Sequence, residues 1–136
     1  MRRSLLAPVV LFCATTSVLA SGKVWIVDDD HTSGADFQSL GHALLVAENG
    51  DVILLRDGVY SSSPEPFWIV PSKSLTLAAE PGHAPVLVDG LRMNLLGSQE
   101  LVLRGLQIVP APLGGVPALT VIAGTSGGKS RAVLLE

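Results

Sequence analysis

Three regimes of apolar patterning succeed one another along the 136 residues of this chain. The first is an unbroken apolar run from Leu5 to Cys13, continuing to Val18-Leu19-Ala20, behind Met1-Arg2-Arg3. The second joins a β-prone run, Lys23 to Val27, to a segment in which Phe37, Leu40, Ala43, Leu44 and Ala47 recur at spacings of three and four. That recurrence is the apolar face of a helix. The run closes on Asp28-Asp29-Asp30 and a polar turn through Gly34. Asp36 is positioned to cap the helix, Asn49-Gly50 to end it, and the reading is a helix over Asp36 to Glu48.

From Gly50 onward the helical period is gone, and short apolar runs alternate with Gly, Pro, Ser and Asp. The runs are Val52 to Leu55, Phe67 to Val70, Leu75 to Ala78, Val86 to Val88, Leu101 to Leu103, Gln107 to Val109, Ala118 to Ile122 and Ala132 to Leu135. Each reads as a strand. Ser74-Leu75-Thr76-Leu77 aligns with Glu100-Leu101-Val102-Leu103 at an offset of 26, and Leu101-Val102-Leu103 with Val133-Leu134-Leu135 at 32. Such offsets suit a solenoid whose coils carry short strands and a turn of variable length, here swollen at Pro110 to Gly115. A β-sandwich is the competing fold, but it alternates apolar with polar residues and carries more aromatics than the 4% found here. The expected class is all-β, a parallel β-helix with an N-terminal capping helix: residues 21–50 form the first strand and cap, and 51–136 the first coils.

The first regime is a secretory signal peptide: two arginines, an apolar stretch short for a membrane span, and Val18-x-Ala20 before Ser21 as the cleavage site. Residues 1–20 are therefore expected to be removed, placing the mature chain outside the cytoplasm, secreted, periplasmic or at the cell surface, with no membrane span left. Cys13, the single cysteine, falls inside this leader, so the mature domain would hold neither disulfide nor thiolate metal site. Without Arg2 and Arg3, seven basic residues face twelve acidic ones, a net charge of −5. With no basic cluster as well, nucleic acid is excluded as a partner.

Gly34-Ala35-Asp36-Phe37-Gln38-Ser39-Leu40, then Ala43-Leu44, then Asn49-Gly50-Asp51-Val52-Ile53-Leu54-Leu55-Arg56-Asp57-Gly58-Val59-Tyr60 form a recognisable series, completed by Leu101-Val102-Leu103-Arg104-Gly105-Leu106-Gln107-Ile108. It resembles the opening of secreted right-handed parallel β-helix proteins of the pectin-lyase-like superfamily, over Val24 to about Ile108. The resemblance implies a helix covering the open first coil, Gly58 at a strand-to-turn corner with Tyr60 packed over it, and polysaccharide as the partner. Enzymes of that group, polysaccharide lyases and glycoside hydrolases, carry their catalytic residues on later coils, and no position here matches such a motif. The chain stops at Glu136 within an apolar run and without a second cap. The expectation is an N-terminal portion of a longer protein, with self-association through the open C-terminal coil as the alternative. A non-enzymatic surface or structural solenoid is the second functional reading.

Few residues suggest chemistry. Asp28, Asp29 and Asp30 offer the hard oxygens that calcium takes, the one cofactor the sequence suggests, although the Asp-x-Asp-x-Asp-Gly spacing is absent and a solvated turn competes. Trp68 should point opposite to Phe67 on its strand, which makes it the candidate for an exposed sugar-stacking ring, with Trp25 and Phe67 under the cap. Gly124 to Ser130 imitates a phosphate loop but has Ala123 where the first glycine belongs. His31, His42 and His83 lack metal spacing, and Asp57, Glu80, Asp89 and Glu100 have no evident mutual geometry.

Overall fold

The computed structural model describes residues 22–63, 68–70, 72–95, 97–110, 117–123 and 131–135. The expected leader, Phe67, most of the swollen turn and the Gly/Ser segment 124–130 lie outside these residues. Strand β1 (Val24–Val27) leads to helix α1 (Leu40–Val46). After them come β2 (Asp51–Leu55), β3 (Val59–Tyr60), β4 (Trp68–Val70), β5 (Leu75–Ala79), β6 (Val86–Leu87) and β7 (Leu91–Leu95). The described chain ends with β8 (Glu100–Arg104), β9 (Gln107–Ile108), β10 (Leu119–Ala123) and β11 (Arg131–Leu135).

Every strand pairing is parallel, which removes the sandwich and leaves a β-solenoid. Three sheets form its faces: β1-β2-β5-β8-β11, β4-β7-β10 and β3-β6-β9. Each coil contributes one strand to each face, giving the successive coils β2-β3-β4, β5-β6-β7 and β8-β9-β10. Inward side chains stack in columns. Ile53, Leu77, Leu103 and Leu134 are in register, and so are Leu75, Leu101 and Ala132. Ile53 and Leu77 are wholly buried, each contributing roughly 1.5–3 kcal/mol relative to exposure.

The offset of 26 is the register of β5 against β8, with Leu75 beside Leu101. The offset of 32 is corrected to 31: Val133 lies beside Val102, not Leu101. A one-residue slip exchanges the two faces of a strand. The Ala-Val-Leu-Leu of β11 is apolar at both parities, so its pattern gives no register. Strand β7 was not expected, since Leu-Arg-Met-Asn-Leu alternates instead of forming an apolar run; Leu91 and Met93 face inward and are buried.

The cap is also shorter than the expected span of Asp36 to Glu48. The Asp36 carboxylate does not cap the helix; it accepts the Ile26 N–H at 2.8 Å. The Asp36 and Phe37 N–H groups donate to the Ile26 carbonyl, and Asp28 N–H to the Phe37 carbonyl at 3.0 Å. Residues pinned to β1 in this way are extended, so the helix cannot begin before Ser39. The same bonds occupy half of the free edge of β1, which would otherwise invite another strand. Leu40, Ala43 and Leu44 of α1 enter the core. Lys73 Nζ donates to the carbonyls of Leu45 and Ala47, satisfying orphan groups at the helix end. No helix among the described residues is long and apolar enough to cross a membrane.

Candidate functional site

The registers place Val24 beside Val52 and Asp51 beside Leu75, offsets of 28 and 24. Carried one residue past the strand ends, the same offsets align Asp28, Arg56 and Glu80 at the ends of β1, β2 and β5, three neighbouring strands of the long sheet. Arg56 sits between the two carboxylates, with Nη1 at 3.3 Å from Asp28 Oδ2 and Nε at 2.7 Å from Glu80 Oε2. Its Nη1 also donates to Thr32 Oγ1 at 2.8 Å and to the Ser33 carbonyl at 3.2 Å. The Thr32 hydroxyl donates to Asp28 in turn. That hydroxyl, with help from Arg56 and the Asp30 N–H, holds the Asp28 carboxyl below the usual carboxylate range against the opposing effect of burial. The hydrogen bond to Glu80 stabilises the Arg56 guanidinium in its charged form.

One residue further along, Asp57 meets His83. Nδ1 of His83 lies 3.0 Å from Asp57 Oδ2 and 3.2 Å from the Asp57 N–H, while Nε2 lies 3.7 Å from Glu80 Oε2. The two Nδ1 contacts are alternatives, since a bare Nδ1 accepts from the N–H and a protonated one donates to the carboxylate. The Ala84 N–H reaches Asp57 Oδ1 at 2.6 Å and is the main reason that this carboxyl, too, is held below its usual range. Together with Asp30 these side chains line an open cleft of about 330 Å³ that runs from the turn after β1 across the first two coils.

The sequence-predicted residues are distributed differently. Asp28 joins the cleft, and its cation is Arg56. Asp29 turns away, with Oδ2 accepting the Val59 N–H at 3.3 Å. Gly58 is needed there because any side chain at that position would collide with the Asp29 carboxylate. Asp30 is exposed and gives its N–H to Asp28. The three carboxylates do not converge as a calcium site requires, and among the described residues no three His, Cys, Asp or Glu side chains could hold a metal ion. Tyr60 packs over the corner as expected. It is buried, with its hydroxyl within reach of the Val27 and Arg56 carbonyls at 3.2 and 3.1 Å. Burial pushes the phenol up to about 12.

Trp68 corrects the expectation of an exposed ring. It is only 9% exposed. Its register partner on β7 is Leu91, an inward residue, so Trp68 must face inward as well. A side chain at Gly41 of α1 would stand 3.8 Å from its ring, placing Trp68 under the cap. Trp25 is half-buried against Phe37, with Lys23 Nζ 3.5 Å from its ring centroid. Its Nε1 donates to Asp51 Oδ2 at 2.9 Å. Asp51 also accepts the N–H groups of Lys23 and Glu48. Burial raises its carboxyl, but these three donors and the Lys23 charge outweigh that and leave it low.

Asp89 ties to Ser61 and Ser62 of the preceding coil. Glu100 is exposed and faces Arg131 at 3.7 Å. His31 and His42 stay exposed and apart from the cleft. The sequence reading missed Arg56 and dispersed Asp57, Glu80 and His83. The available signal was the spacing of opposite charges at 28 and 24, the same as the strand registers. Comparison of the chain with family models, curated proteins and solved structures gives no match. What stands of the resemblance is the parallel β-solenoid of about three turns.

Proposed function

We propose that this protein is an extracytoplasmic β-solenoid that binds polysaccharide in the cleft beside Arg56 and His83 and leaves it chemically unchanged. The observation that carries this reading is the composition of the cleft: ionised acceptors and fixed donors at the ends of three adjacent strands, open to solvent. Carboxylates accept from neighbouring sugar hydroxyls, while guanidinium and imidazole N–H groups donate to ring and hydroxyl oxygens. With coils about 4.8 Å apart, the cleft runs on the order of 10 Å along the stack, enough for part of an extended polymer. The leader and the pectin-lyase-like motifs support the compartment and the polymer class.

A general acid must be protonated at working pH, yet Asp28 and Asp57 are both pulled toward the charged form. Neither of these two carboxyls suits the role of general acid in glycoside hydrolysis. A purely structural role is the second reading, favoured by the way the same side chains bridge coil to coil. Affinity electrophoresis of the purified protein through gels containing neutral, acidic or amino-bearing polysaccharides separates the two. Retardation by a neutral or amino-bearing polymer is expected, weakened several-fold in Asp57→Asn/His83→Gln and accompanied by no new reducing or unsaturated ends. Mobility unchanged in every gel would remove the binding reading.

A further inference from the structure

The outer face of the five-stranded sheet has the opposite chemistry to the cleft. A sheet face left to water normally reads polar. Here the outward positions carry Val24, Val52, Leu54, Val102, Val133 and Leu135, with Val24 51% and Leu135 45% exposed. The alternating burial of β2 and β8 fixes this orientation: Ile53, Leu101 and Leu103 face the core, and their neighbours face out. A shallow groove of about 550 Å³ lies over Val52, Leu54 and Ala78, bounded by the 80–83 turn and Arg104. Thr76 and Arg104 interrupt the apolar columns, but a sheet face this rich in exposed apolar side chains marks an interaction site.

We propose that this face is a reversible dimerisation surface and that its occupant is the same face of a second copy. Parallel strands in constant register present a broad face that matches another such sheet, as in face-to-face sheet packing at about 10 Å. The charges fit a two-fold arrangement. Glu100 and Arg104 point outward at the two ends of β8, with Val102 between them. A two-fold axis along the stack runs the facing strands antiparallel and sets Arg104 against Glu100 of the second copy, which would then lie between that Arg104 and its own chain's Arg131. Five strands about 4.8 Å apart and five residues about 3.3 Å each give a face on the order of 400 Å² per copy. The pair hides about 800 Å², below the roughly 1,200 Å² of a stable complex, so the dimer is weak and concentration-dependent. The cleft lies past the strand ends and shares Glu80 and His83 with the edge of this groove.

Sedimentation velocity of the purified protein from about 1 to about 200 µM tests this, a range chosen for an interface of that size. The weight-average mass should climb from that of a monomer toward twice that value. Leu54→Lys should hold the protein monomeric across the range with an unchanged circular dichroism spectrum, and Val102→Lys should do the same. Arg104→Glu should weaken association several-fold, and the swap Glu100→Arg/Arg104→Glu should restore it. A monomer at all concentrations overturns the proposal. Association indifferent to Leu54→Lys and Val102→Lys overturns it too, and if Leu134→Lys then abolishes it, the contact is the end of the stack.

Discussion

The two ends of the described solenoid are built from the same columns but are secured very differently. At the N-terminal end, α1 covers the core, Asp51 gathers donors from β1 and the helix terminus, and Arg56 clasps carboxylates on either side. At the β8–β11 end the charged pair among the described residues is Glu100 with Arg131, both well exposed. Leu134 continues the column of Ile53, Leu77 and Leu103 yet is 58% exposed. Repeat proteins gain stability from neighbour interfaces. Among the described residues the first coils have a neighbour on each side and β11 has one, so the fold should be tightest where the cap sits.

The sharpest way to break this contrast is to truncate one column at both ends. Ile53→Ala should cost about 2–5 kcal/mol, because the site is wholly buried between registered neighbours and cannot collapse freely. Leu134→Ala should stay within about 0.5 kcal/mol, as for other exposed positions. Urea denaturation of the two variants reads the difference directly, and equal losses would mean that the two ends are equally packed.

Asp51→Ala comes next. It leaves the Trp25 indole and the Lys23 and Glu48 N–H groups without their acceptor, a loss of about 2–3 kcal/mol. Glu100→Ala, the counterpart at the other end, should be nearly silent. Hydrogen exchange would sharpen the comparison: amides of β1 and α1 should lose protection in Asp51→Ala while those of β8 keep theirs.

These ties explain which parts of the structure could be read in advance. The pairing of Leu75 with Leu101 was legible because a strand with one apolar parity excludes every odd-residue slip, and the aligned Leu-x-Leu pairs mark the remaining register. The register of β11 was not, because its residues are apolar at both parities. Trp68 was misread from its neighbour Phe67, when its facing is set by Leu91 on the next coil. The cleft shows the same limit: Asp28, Arg56 and Glu80 lie 28 and 24 residues apart, and their proximity exists only once the coil lengths are known. Local signals carry strand and turn, and coil length carries the site.

Acid should loosen the capped end selectively. Asp28, Asp51 and Asp57 all have folded-state values below the 3.8 of a free aspartate. A depressed carboxyl contributes stability that is fully present above the unfolded value and is lost as pH falls through the folded one. Thermal unfolding followed from neutral pH to about pH 3 should therefore show a flat region and then a decline below about pH 4. The Asp28→Asn variant should start lower and decline less. A decline unchanged in both Asp28→Asn and Asp51→Asn would assign the acid sensitivity to other groups.

The smallest loss expected at the capped end is at the corner that joins the first two strands of the long sheet. Tyr60→Phe keeps the buried ring and removes only a hydroxyl that lies between the Val27 and Arg56 carbonyls. The Val27 carbonyl already accepts the Arg56 N–H at 3.0 Å, so losing the phenol leaves one acceptor partly satisfied and the other dependent on water. A neutral hydrogen bond of this kind is worth about 0.5–1.5 kcal/mol. Equilibrium denaturation of Tyr60→Phe should fall in that range, between the silent variants of the β11 end and Asp51→Ala. A loss as large as that of Ile53→Ala would mean that the hydroxyl organises the corner, and that the Asp29–Gly58 approach depends on it.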